Sequence, residues 1–385
     1  MRLNKKYFGK PRASLTIVGI CVLATFVKAA DRSSLYLDIT ARLHPIGVSI
    51  MLTNPSGQQT GENLLSGLKL QDIPNSGTSH DGPGDDETGE PQAQSMAINV
   101  RRPEPGVYQM NVFAATSTVF YMGIINYDSA RKRTLVKLQG TIAQGATQEF
   151  TVNYSPAPGA VPTIRPVLNT IPLNENSLAS CGNISLSGHA RAAGPVRSNG
   201  GVNVTGDAVI NGDVTVAAVN TTGHAKVTGQ IIQSPGNLNC LPSDLTAALQ
   251  LLTTSNDNAN IPAGFLKAGV LRLAGKNTLT LASGDYLVDR LELSGGSRLT
   301  ANGSVRVFVR HGIELTGQAV AGTGASPLTI FSNSTGTLSL SGASELRAIL
   351  YAPKAKINLS GQARIIGKVH VAAADMTGDS KVEAP

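Results

Sequence analysis

The sequence predicts an all-β protein, in which an N-terminal antiparallel β-sandwich precedes a single-stranded parallel, right-handed β-helix with one short helix. Three observations lead to this fold class. The 385 residues include 41 Gly, no Trp and only 4% aromatic residues, which favours short strands and tight turns. The first half of the chain contains short apolar or alternating runs between turn residues, and the second half repeats one five-residue turn signature. This length and change of pattern indicate two domains.

Residues 1–30 are predicted to be a secretory signal peptide. A basic stretch, Met1–Arg12, precedes the apolar run Leu15–Val27, and the small residues Ala29 and Ala30 follow. An uncleaved N-terminal anchor is the alternative, although the run is short for a membrane span. The segment holds six basic residues, so the net charge of +7 falls to 26 basic against 25 acidic residues after its removal. A nearly neutral mature chain argues against a nucleic-acid partner. No other apolar stretch is long enough to span a bilayer, so an integral membrane protein is not expected after signal cleavage.

Residues 31–154 are predicted to form the β-sandwich domain. Turn sequences separate seven predicted strands: Leu35–Ile39, Gly47–Leu52, Met96–Val100, Tyr108–Phe113, Val119–Ile125, Leu135–Leu138 and Glu149–Val152. Between the second and third of them, residues 64–93 are predicted to be one long polar loop, and such loops are usually functional or disordered.

The acidic part of this loop is the candidate metal site of the sequence. Its carboxylates lie close together in the chain and belong to Asp81, Asp85, Asp86, Glu87 and Glu90. Clustered carboxylates supply the oxygen ligands that Ca²⁺ requires, so calcium is the one cofactor considered. The order of the acids differs from that of an EF-hand loop, and a solvated loop without a ligand is the alternative.

Residues 155–177 are predicted to be a Pro-rich linker, and residues 178–385 the parallel β-helix. The β-helix repeats an apolar residue, Ser or Thr, Gly, any residue and a small residue. The copies begin at Leu186, Val204, Leu293, Leu315, Leu340, Leu359 and Met376. From Leu293 to Met376 the copies follow at intervals of 17–25 residues, which suit a coil of short strands and are too short for helical repeats. The segment 243–253 interrupts the pattern and is predicted to be a helix that covers the flank or an edge of the solenoid.

Cys181 and Cys240 remain after removal of the signal, which contains Cys21. An even pair in an exported chain fits one disulfide, which would close a loop of roughly 60 residues. Two separate thiols are the alternative, because the sequence does not give the distance between them.

Residues 178–385 resemble a bacterial exported domain of unknown function with repeated S-G-x-A turns. The resemblance lies in Arg197-Ser-Asn-Gly200, Gly284-Asp-Tyr-Leu287, Pro327-Leu-Thr-Ile-Phe331, and Leu350-Tyr-Ala-Pro353 followed by Leu359-Ser-Gly361. More loosely, residues 33–154 resemble a β-sandwich that precedes this domain, through Thr53-Asn-Pro-Ser-Gly57, Thr60-Gly61, Asp85-Asp86, Thr88-Gly89 and Pro105-Gly-Val-Tyr-Gln-Met-Asn-Val112. The resemblance implies an envelope or surface location, sometimes with pilus-associated proteins, and no catalytic residues.

No catalytic constellation is visible in the sequence. The solenoid carboxylates are scattered, and a glycosidase needs two that face one groove; they are Asp207, Asp213, Asp285, Asp289, Glu292 and Glu314. The histidines show no metal-ligand spacing; they are His44, His80, His189, His224, His311 and His370. The basic residues Arg101, Arg102 and Arg131–Arg133 are interpreted as solvated surface, with Arg131–Arg133 at a hairpin end.

The sequence therefore predicts a non-enzymatic protein of the periplasm, outer surface or medium. Its expected role is structural or adhesive, with carbohydrate or an envelope or pilus-associated protein as partner. A polysaccharide lyase or hydrolase is one alternative. A self-assembling scaffold is the other, with end-to-end stacking expected at the terminal coil, Met376–Val382.

Overall fold

The computed structural model describes residues 34–41, 47–81, 95–168, 176–234, 238, 240, 243–253, 255–324 and 328–384. In this part of the chain the N-terminal domain contains strands β1 (Ser34–Ala41), β2 (Val48–Thr53), β3 (Gln59–Asn63), β4 (Leu68–Gln71), β5 (Ser76–Asp81), β6 (Ser95–Arg101), β7 (Gly106–Ala114), β8 (Thr118–Tyr127), β9 (Arg133–Ile142), β10 (Thr147–Tyr154) and β11 (Thr163–Val167). The seven predicted strands are all present.

These strands form two antiparallel sheets around one core. One sheet has the order β5-β6-β1-β8-β9, and the other β11-β10-β7-β2-β3-β4. Alternate residues of β8 are buried, as expected for a strand with one face on a core. Phe120 of the first sheet meets Phe150 of the second edge to face, with ring centroids 6.3 Å apart. The predicted sandwich is therefore observed as two sheets joined by apolar side chains.

The long loop predicted over residues 64–93 is wrong in its first half, because β4 and β5 lie there. These strands lack apolar alternation, and their backbones are held by pairing with β3 and β6. Residues 82–94, which carry Asp85, Asp86, Glu87 and Glu90, lie outside the described residues, so the calcium site stays a prediction. The range predicted as linker contains β11, which pairs with β10 at the edge of the second sheet.

The C-terminal domain contains helix α1 (Ser243–Leu251) and a single turn of 3-10 helix, Asn258–Asn260. Its described strands are β12 (Leu178–Ser180), β13 (Ile184–Leu186), β14 (Arg191–Ala193), β15 (Val196–Ser198), β16 (Gly201–Gly206), β17 (Val209–Asn211), β18 (Val214–Val216), β19 (Ala218–Gly223), β20 (Lys226–Val227), β21 (Ile231–Gln233), β22 (Leu266–Lys267), β23 (Val270–Leu273), β24 (Thr278–Leu293), β25 (Arg298–Leu315), β26 (Val320–Thr323), β27 (Leu328–Ser332), β28 (Thr337–Leu340), β29 (Glu345–Leu359), β30 (Arg364–Met376) and β31 (Lys381–Glu383). Parallel pairing between successive coils confirms the predicted β-solenoid, and its hand stays a prediction.

The coils are not stacked in chain order. The first coil, β12–β14, lies between β15–β17 on one side and the last strands, β30 and β31, on the other. The chain therefore begins in the middle of the rod and adds coils outward to β21, at one end. It resumes at the opposite end with β22 and β23, and the later coils stack back toward the middle until β31 pairs with β14. We call this contact between the first and last coils the seam.

The seam corrects one expectation from the sequence. The terminal coil, Met376–Val382, was the predicted contact for end-to-end assembly, but it lies inside the stack. Strand β31 pairs with β30 on one edge and with β14 on the other, so neither edge is available to a second molecule.

The glycines of the turn signature form one continuous column. Each has a positive φ between 66° and 75°, and the column contains Gly275, Gly295, Gly317, Gly342, Gly361, Gly378, Gly188, Gly206 and Gly223. An amide in one coil donates to a glycine carbonyl in the next, as in Ala343 N to Gly317 O at 2.7 Å. The column crosses the seam without interruption, through His189 N to Gly378 O at 2.9 Å. Glycine is needed both for the left-handed turn and for this close backbone approach.

Replacing Gly342 by alanine is expected to cost more stability than replacing Gly275. Both glycines have a left-handed φ, which costs an alanine about 1–2 kcal/mol. A Cβ at Gly342 would lie 2.8 Å from Gly317 O, whereas a Cβ at Gly275 meets nothing within 4 Å. We expect the G342A variant to lose about 1–3 kcal/mol more free energy of unfolding than G275A, measured by denaturant titration. Equal losses would contradict a role for the column beyond the turn itself.

Helix α1 covers one flank of the solenoid. An outward column of side chains on successive coils, the aromatic column, consists of Leu287, Phe308, Phe331, Tyr351 and His370. The rings of Phe308 and Phe331 stack with centroids 5.0 Å apart. The column buries one face of the helix, in agreement with the predicted cover of the flank, through Leu245, Ala248, Leu249 and Leu252. On its other side, Leu251 joins the sandwich core, so the helix connects the two domains.

A buried ionic network closes the β24 end of the solenoid and links it to the sandwich. Asp285 is 3% exposed, and both its carboxylate oxygens lie 2.6 Å from the guanidinium of Arg306. Arg165 of β11 contacts Asp257 at 2.6 Å and Asp285 at 3.2 Å. The Asn258 side chain accepts a hydrogen bond from Leu287 N and donates one to Leu287 O. The two bonds replace those that the backbone of a neighbouring strand would make. These groups satisfy the edge of β24, which would otherwise be open to pairing.

Candidate functional site

Two parallel rows of side chains follow the glycine column along the outside of the solenoid. The variable residue after each glycine lies in the turn row, which contains Lys276, Gly296, Gln318, Ala343, Gln362, Asp379, His189, Asp207 and His224. Two residues further on, the first outward position of each strand lies in the strand row, which contains Thr278, Arg298, Val320, Glu345, Arg364, Lys381, Arg191, Val209 and Lys226. Because successive strands lie about 4.8 Å apart, the side chains of each row form a regular array.

The rows enclose a groove of about 450 Å³ at the seam, which we call the seam groove. It is lined by His189, Arg191, Gln362, Arg364, Asp379 and Lys381. Three of these are cations on adjacent coils. Arg364 is paired with Glu383, with Nε 2.8 Å from Oε2. Arg191 and Lys381 make no ion pair with any described residue. The groove therefore presents two uncompensated cations next to each other, which favours an anionic ligand.

Histidines and carboxylates alternate in the turn row beside this groove. His189 lies between two aspartates, with Nε2 3.4 Å from Asp207 and Nδ1 3.6 Å from Asp379. His224 Nδ1 lies 3.2 Å from the other oxygen of Asp207. All four side chains are at least half exposed. The sequence spacing showed no metal-ligand pattern for His189 and His224, and the structure brings them into line with Asp207 and Asp379.

A second cluster is buried where the aromatic column reaches the seam. Cys181 and Cys240 form a disulfide with their Cα atoms 5.8 Å apart, so the first of the two alternatives from the sequence is observed. His370 Nε2 lies 3.5 Å from Cys181 Sγ, and the imidazole packs on Tyr351 with centroids 5.0 Å apart. We call Cys181, Cys240 and His370 the Cys-His cluster. Asn199 directs its side-chain amide to Cys240 Sγ at 3.4 Å.

The His370 side chain is 3% exposed, and burial lowers its pKa to about 4. Removal from water disfavours the charged imidazolium, and the described residues offer no carboxylate partner to compensate. The imidazole is therefore neutral at pH 7, with a free electron pair on one ring nitrogen.

Acid is expected to destabilise the protein through His370. Its pKa is lower in the folded chain than the ordinary value of 6.5, so only the unfolded chain takes up the proton between these two values. Stability is fully present above about pH 6.5 and falls as the pH drops toward 4, by on the order of 3 kcal/mol. In a His370→Phe variant, the free energy of unfolding should therefore fall less between pH 7 and pH 4 than it does in wild type. An equal fall in the variant would assign the acid sensitivity to other groups.

The carboxylates considered from the sequence have different environments in the structure. Asp285 belongs to the ionic network, and Asp289 pairs with Arg310 at 3.3 Å. Asp213 accepts from Gln230 N at 2.9 Å, as a turn residue would. Glu292 contacts Arg272 on the next coil, and Glu314 is exposed.

The remaining candidate residues lie on the N-terminal domain or outside the described part. His80 contacts Glu62 at 3.3 Å, and His44 lies outside the described residues. Arg131 has a φ of +62° in the turn between β8 and β9, in agreement with a hairpin end.

Sequence reasoning missed the seam groove and the Cys-His cluster. The alignment of His189, Asp207 and His224 was accessible in principle, because each follows the glycine of consecutive turns. Their proximity to Asp379, and that of His370 to Cys181, depends on the seam, for which the sequence carries no local signal.

Comparisons with known proteins leave the function open. A family of domains of unknown function, DUF7305, matches residues 289–384. An ice-binding protein from the Antarctic ascomycete Antarctomyces psychrotrophicus is 18% identical, with a TM-score of 0.30 over 55% of this chain and 95% of its own. The DUF3494 domain of ice-binding protein 1 from Shewanella frigidimarina is 14% identical, with a TM-score of 0.29 over 58% of this chain and 98% of its own. No curated protein matches the sequence.

Similarity at this level leaves the ligand to be argued from the chain's own residues.

Among the described residues, no helix has the length and apolar character needed to cross a bilayer.

Proposed function

We propose that this protein is a non-enzymatic binding protein of the cell envelope or exterior, and that its seam groove binds an acidic carbohydrate. The observation that supports this most directly is the pair of uncompensated cations, Arg191 and Lys381, on adjacent coils of a rigid solenoid. Carboxylate or sulfate groups on a polysaccharide would meet these cations, and the hydroxyl groups would meet Gln362 and Asp379.

The rest of the groove suits a polymeric ligand better than a small enclosed one. The seam groove is open to solvent, and the two rows extend beyond it on both sides in register. The solenoid backbone is paired on successive coils, so the array costs little ordering entropy when a ligand binds. A polysaccharide lying along the rows would therefore contact several coils, and the weak individual contacts would add through multivalency.

Export is the second part of this proposal. The N-terminal sequence has the charged, apolar and small-residue order of a secretory signal. The disulfide between Cys181 and Cys240 supports the same compartment, because such bonds persist in oxidising environments. Detection of the mature chain in the periplasmic, surface or medium fraction, with residues 1–30 removed, tests this part separately.

The binding proposal is tested by measuring the affinity of the purified protein for polygalacturonate and for neutral dextran. We expect binding to the acidic polymer alone, weakening as salt is raised. The double variant Arg191→Gln/Lys381→Gln should bind at least about tenfold more weakly. The matched control is Arg133→Gln/Lys137→Gln, which removes the same charge from exposed positions of β9, outside both rows, and should bind like wild type. Equal binding of dextran, or equal loss in both double variants, would overturn the proposal.

One observation favours a polysaccharide-processing enzyme as the second candidate. His189 lies between Asp207 and Asp379 next to Arg191 and Lys381, so a base and cations share one groove. In a lyase, a base removes a proton beside a carboxylate that cations stabilise. Incubation with polygalacturonate distinguishes the two functions. Growth of unsaturated or reducing ends that stops in a His189→Ala variant would favour the enzyme, and binding without new ends favours the binding protein.

A further inference from the structure

The imidazole of His370 has an unusual environment for a buried polar group. Its Nδ1 has no hydrogen-bond partner among the described residues, and Nε2 faces only the sulfur of Cys181. Nearly all buried polar groups in proteins are paired, so an unpaired one requires an explanation. Packing on Tyr351 accounts for the ring plane and leaves both nitrogens unexplained. A phenylalanine would continue the aromatic column without this cost.

The positions of the three side chains explain why an imidazole is present, with its Nε2 directed at the disulfide. One ligand atom each from Cys181, Cys240 and His370 lies within 4.8 Å of the other two. For a tetrahedral zinc ion, bond lengths near 2.3 Å to sulfur and 2.0–2.1 Å to nitrogen place the two ligand atoms about 3.6 Å apart. The observed distance between His370 Nε2 and Cys181 Sγ is 3.5 Å. The spacing of His370 Nε2 and Cys181 Sγ is thus already that of a Cys₂His site, and reduction allows the two bonded sulfurs to move apart to their ligand positions.

We propose that the reduced chain binds a divalent cation such as Zn²⁺ through Cys181, Cys240 and His370, and that the disulfide and the metal site are alternative states of the same cluster. A water molecule would complete the tetrahedron. In the disulfide state, the bond fixes Cys240 to Cys181 of the first coil. In the metal state, the cation makes the same connection and binds Nε2 of His370, which in the disulfide state faces only the sulfur of Cys181.

Reduction of the disulfide precedes metal binding. A phosphine reductant supplies two electrons and becomes a phosphine oxide, and water supplies the oxygen of the oxide and one proton to each sulfur as the sulfur–sulfur bond breaks. A dithiol reductant instead passes its two thiol protons to the sulfurs and becomes a disulfide. The cation then displaces both thiol protons and binds two thiolates and the neutral imidazole. The Asn199 amide, 3.4 Å from Cys240 Sγ, is placed to donate to the thiolate of Cys240. Oxidation of the metal-free dithiol by a disulfide oxidant reverses the first step.

The proposal is tested with the full chain, reduced by a phosphine under anaerobic conditions and titrated with Co²⁺. Cobalt reports its ligands by absorption, because thiolate ligation gives charge-transfer bands and tetrahedral geometry gives intense ligand-field bands. We expect one Co²⁺ per chain, displaced by Zn²⁺, in the reduced protein, and no binding in the oxidised protein. The Cys181→Ala/Cys240→Ala variant should bind none. His370→Gln should weaken binding by about tenfold or more, whereas His311→Gln, at an exposed position of β25, should not change it.

If the reduced chain stays folded, either of two results would overturn the proposal. One is a reduced protein that keeps its strand signal in circular dichroism and gives no thiolate–cobalt bands at millimolar Co²⁺. The other is binding that is equally strong in the His370→Gln variant, which would remove His370 from the site. If reduction unfolds the chain, addition of Zn²⁺ must restore the strand signal at one ion per chain, and failure to do so would also refute the site.

Discussion

The Asp285→Ala variant is expected to lose about 3–5 kcal/mol of free energy of unfolding. Asp285 is almost fully buried and neutralises the guanidiniums of Arg306 and Arg165, at 2.6 and 3.2 Å. Removal of the carboxylate leaves two partly buried cations with only Asp257 between them. The cost comes mainly from these uncompensated charges, since the intact pair is itself offset by desolvation. Denaturant titration of the full chain measures the loss.

The neighbouring pair of Asp289 and Arg310 is a matched control for this prediction. It joins the same two strands, β24 and β25, with the same residue types at 3.3 Å. Its side chains are 35% and 36% exposed, so solvent screens both charges. Asp289→Ala should therefore cost less than about 1 kcal/mol. Similar losses in the two variants would mean that burial is not what makes the Asp285 network important.

The Cys181→Ala/Cys240→Ala variant is expected to lose about 4 kcal/mol relative to the oxidised protein. The disulfide spans 59 residues, and closing a loop of this length removes about that much chain entropy from the unfolded state. Oxidised wild type and variant are compared by denaturant titration in the presence of a metal chelator. Wild type reduced under the same conditions should resemble the variant. A loss below about 1 kcal/mol would show that other contacts already hold Cys240 to the first coil.

The predictable parts of this fold are those with a local periodic signal. The alternation of β8 and its neighbours identified the strands that face the sandwich core, whereas β3, β4 and β5 escaped because edge pairing, not apolar alternation, holds them. The turn signature identified seven coils. The turns at Gly275 and Gly223 were missed because Ala274 and Asn277 depart from the signature in one, and Thr221 in the other. Both turns lie at the ends of the glycine column, where a neighbour is present on one side only.

The candidate sites were predictable only in part. The sequence contained every residue of the seam groove and gave the disulfide as one of two alternatives. It gave no reason to connect His370 with Cys181, which is 189 residues away, or Lys381 with Arg191. His189 and Asp207 both follow a turn glycine, and a turn is a sufficient reason for their positions in the sequence. Their alignment therefore did not indicate a site until the stacking order of the coils was known.

The sequence by itself determined that this chain forms stacked β-coils. Each copy of the signature supplies a glycine for the left-handed conformation of the turn and a small residue that can be buried beside it. Only the tertiary structure decided the order in which the coils stack. Backbone pairing between parallel coils is nearly independent of side-chain identity, so any coil edge could in principle accept any other. The ends that meet at the seam are selected by long-range packing, including α1 on the aromatic column. That choice places the first and last coils side by side, and with them both candidate sites.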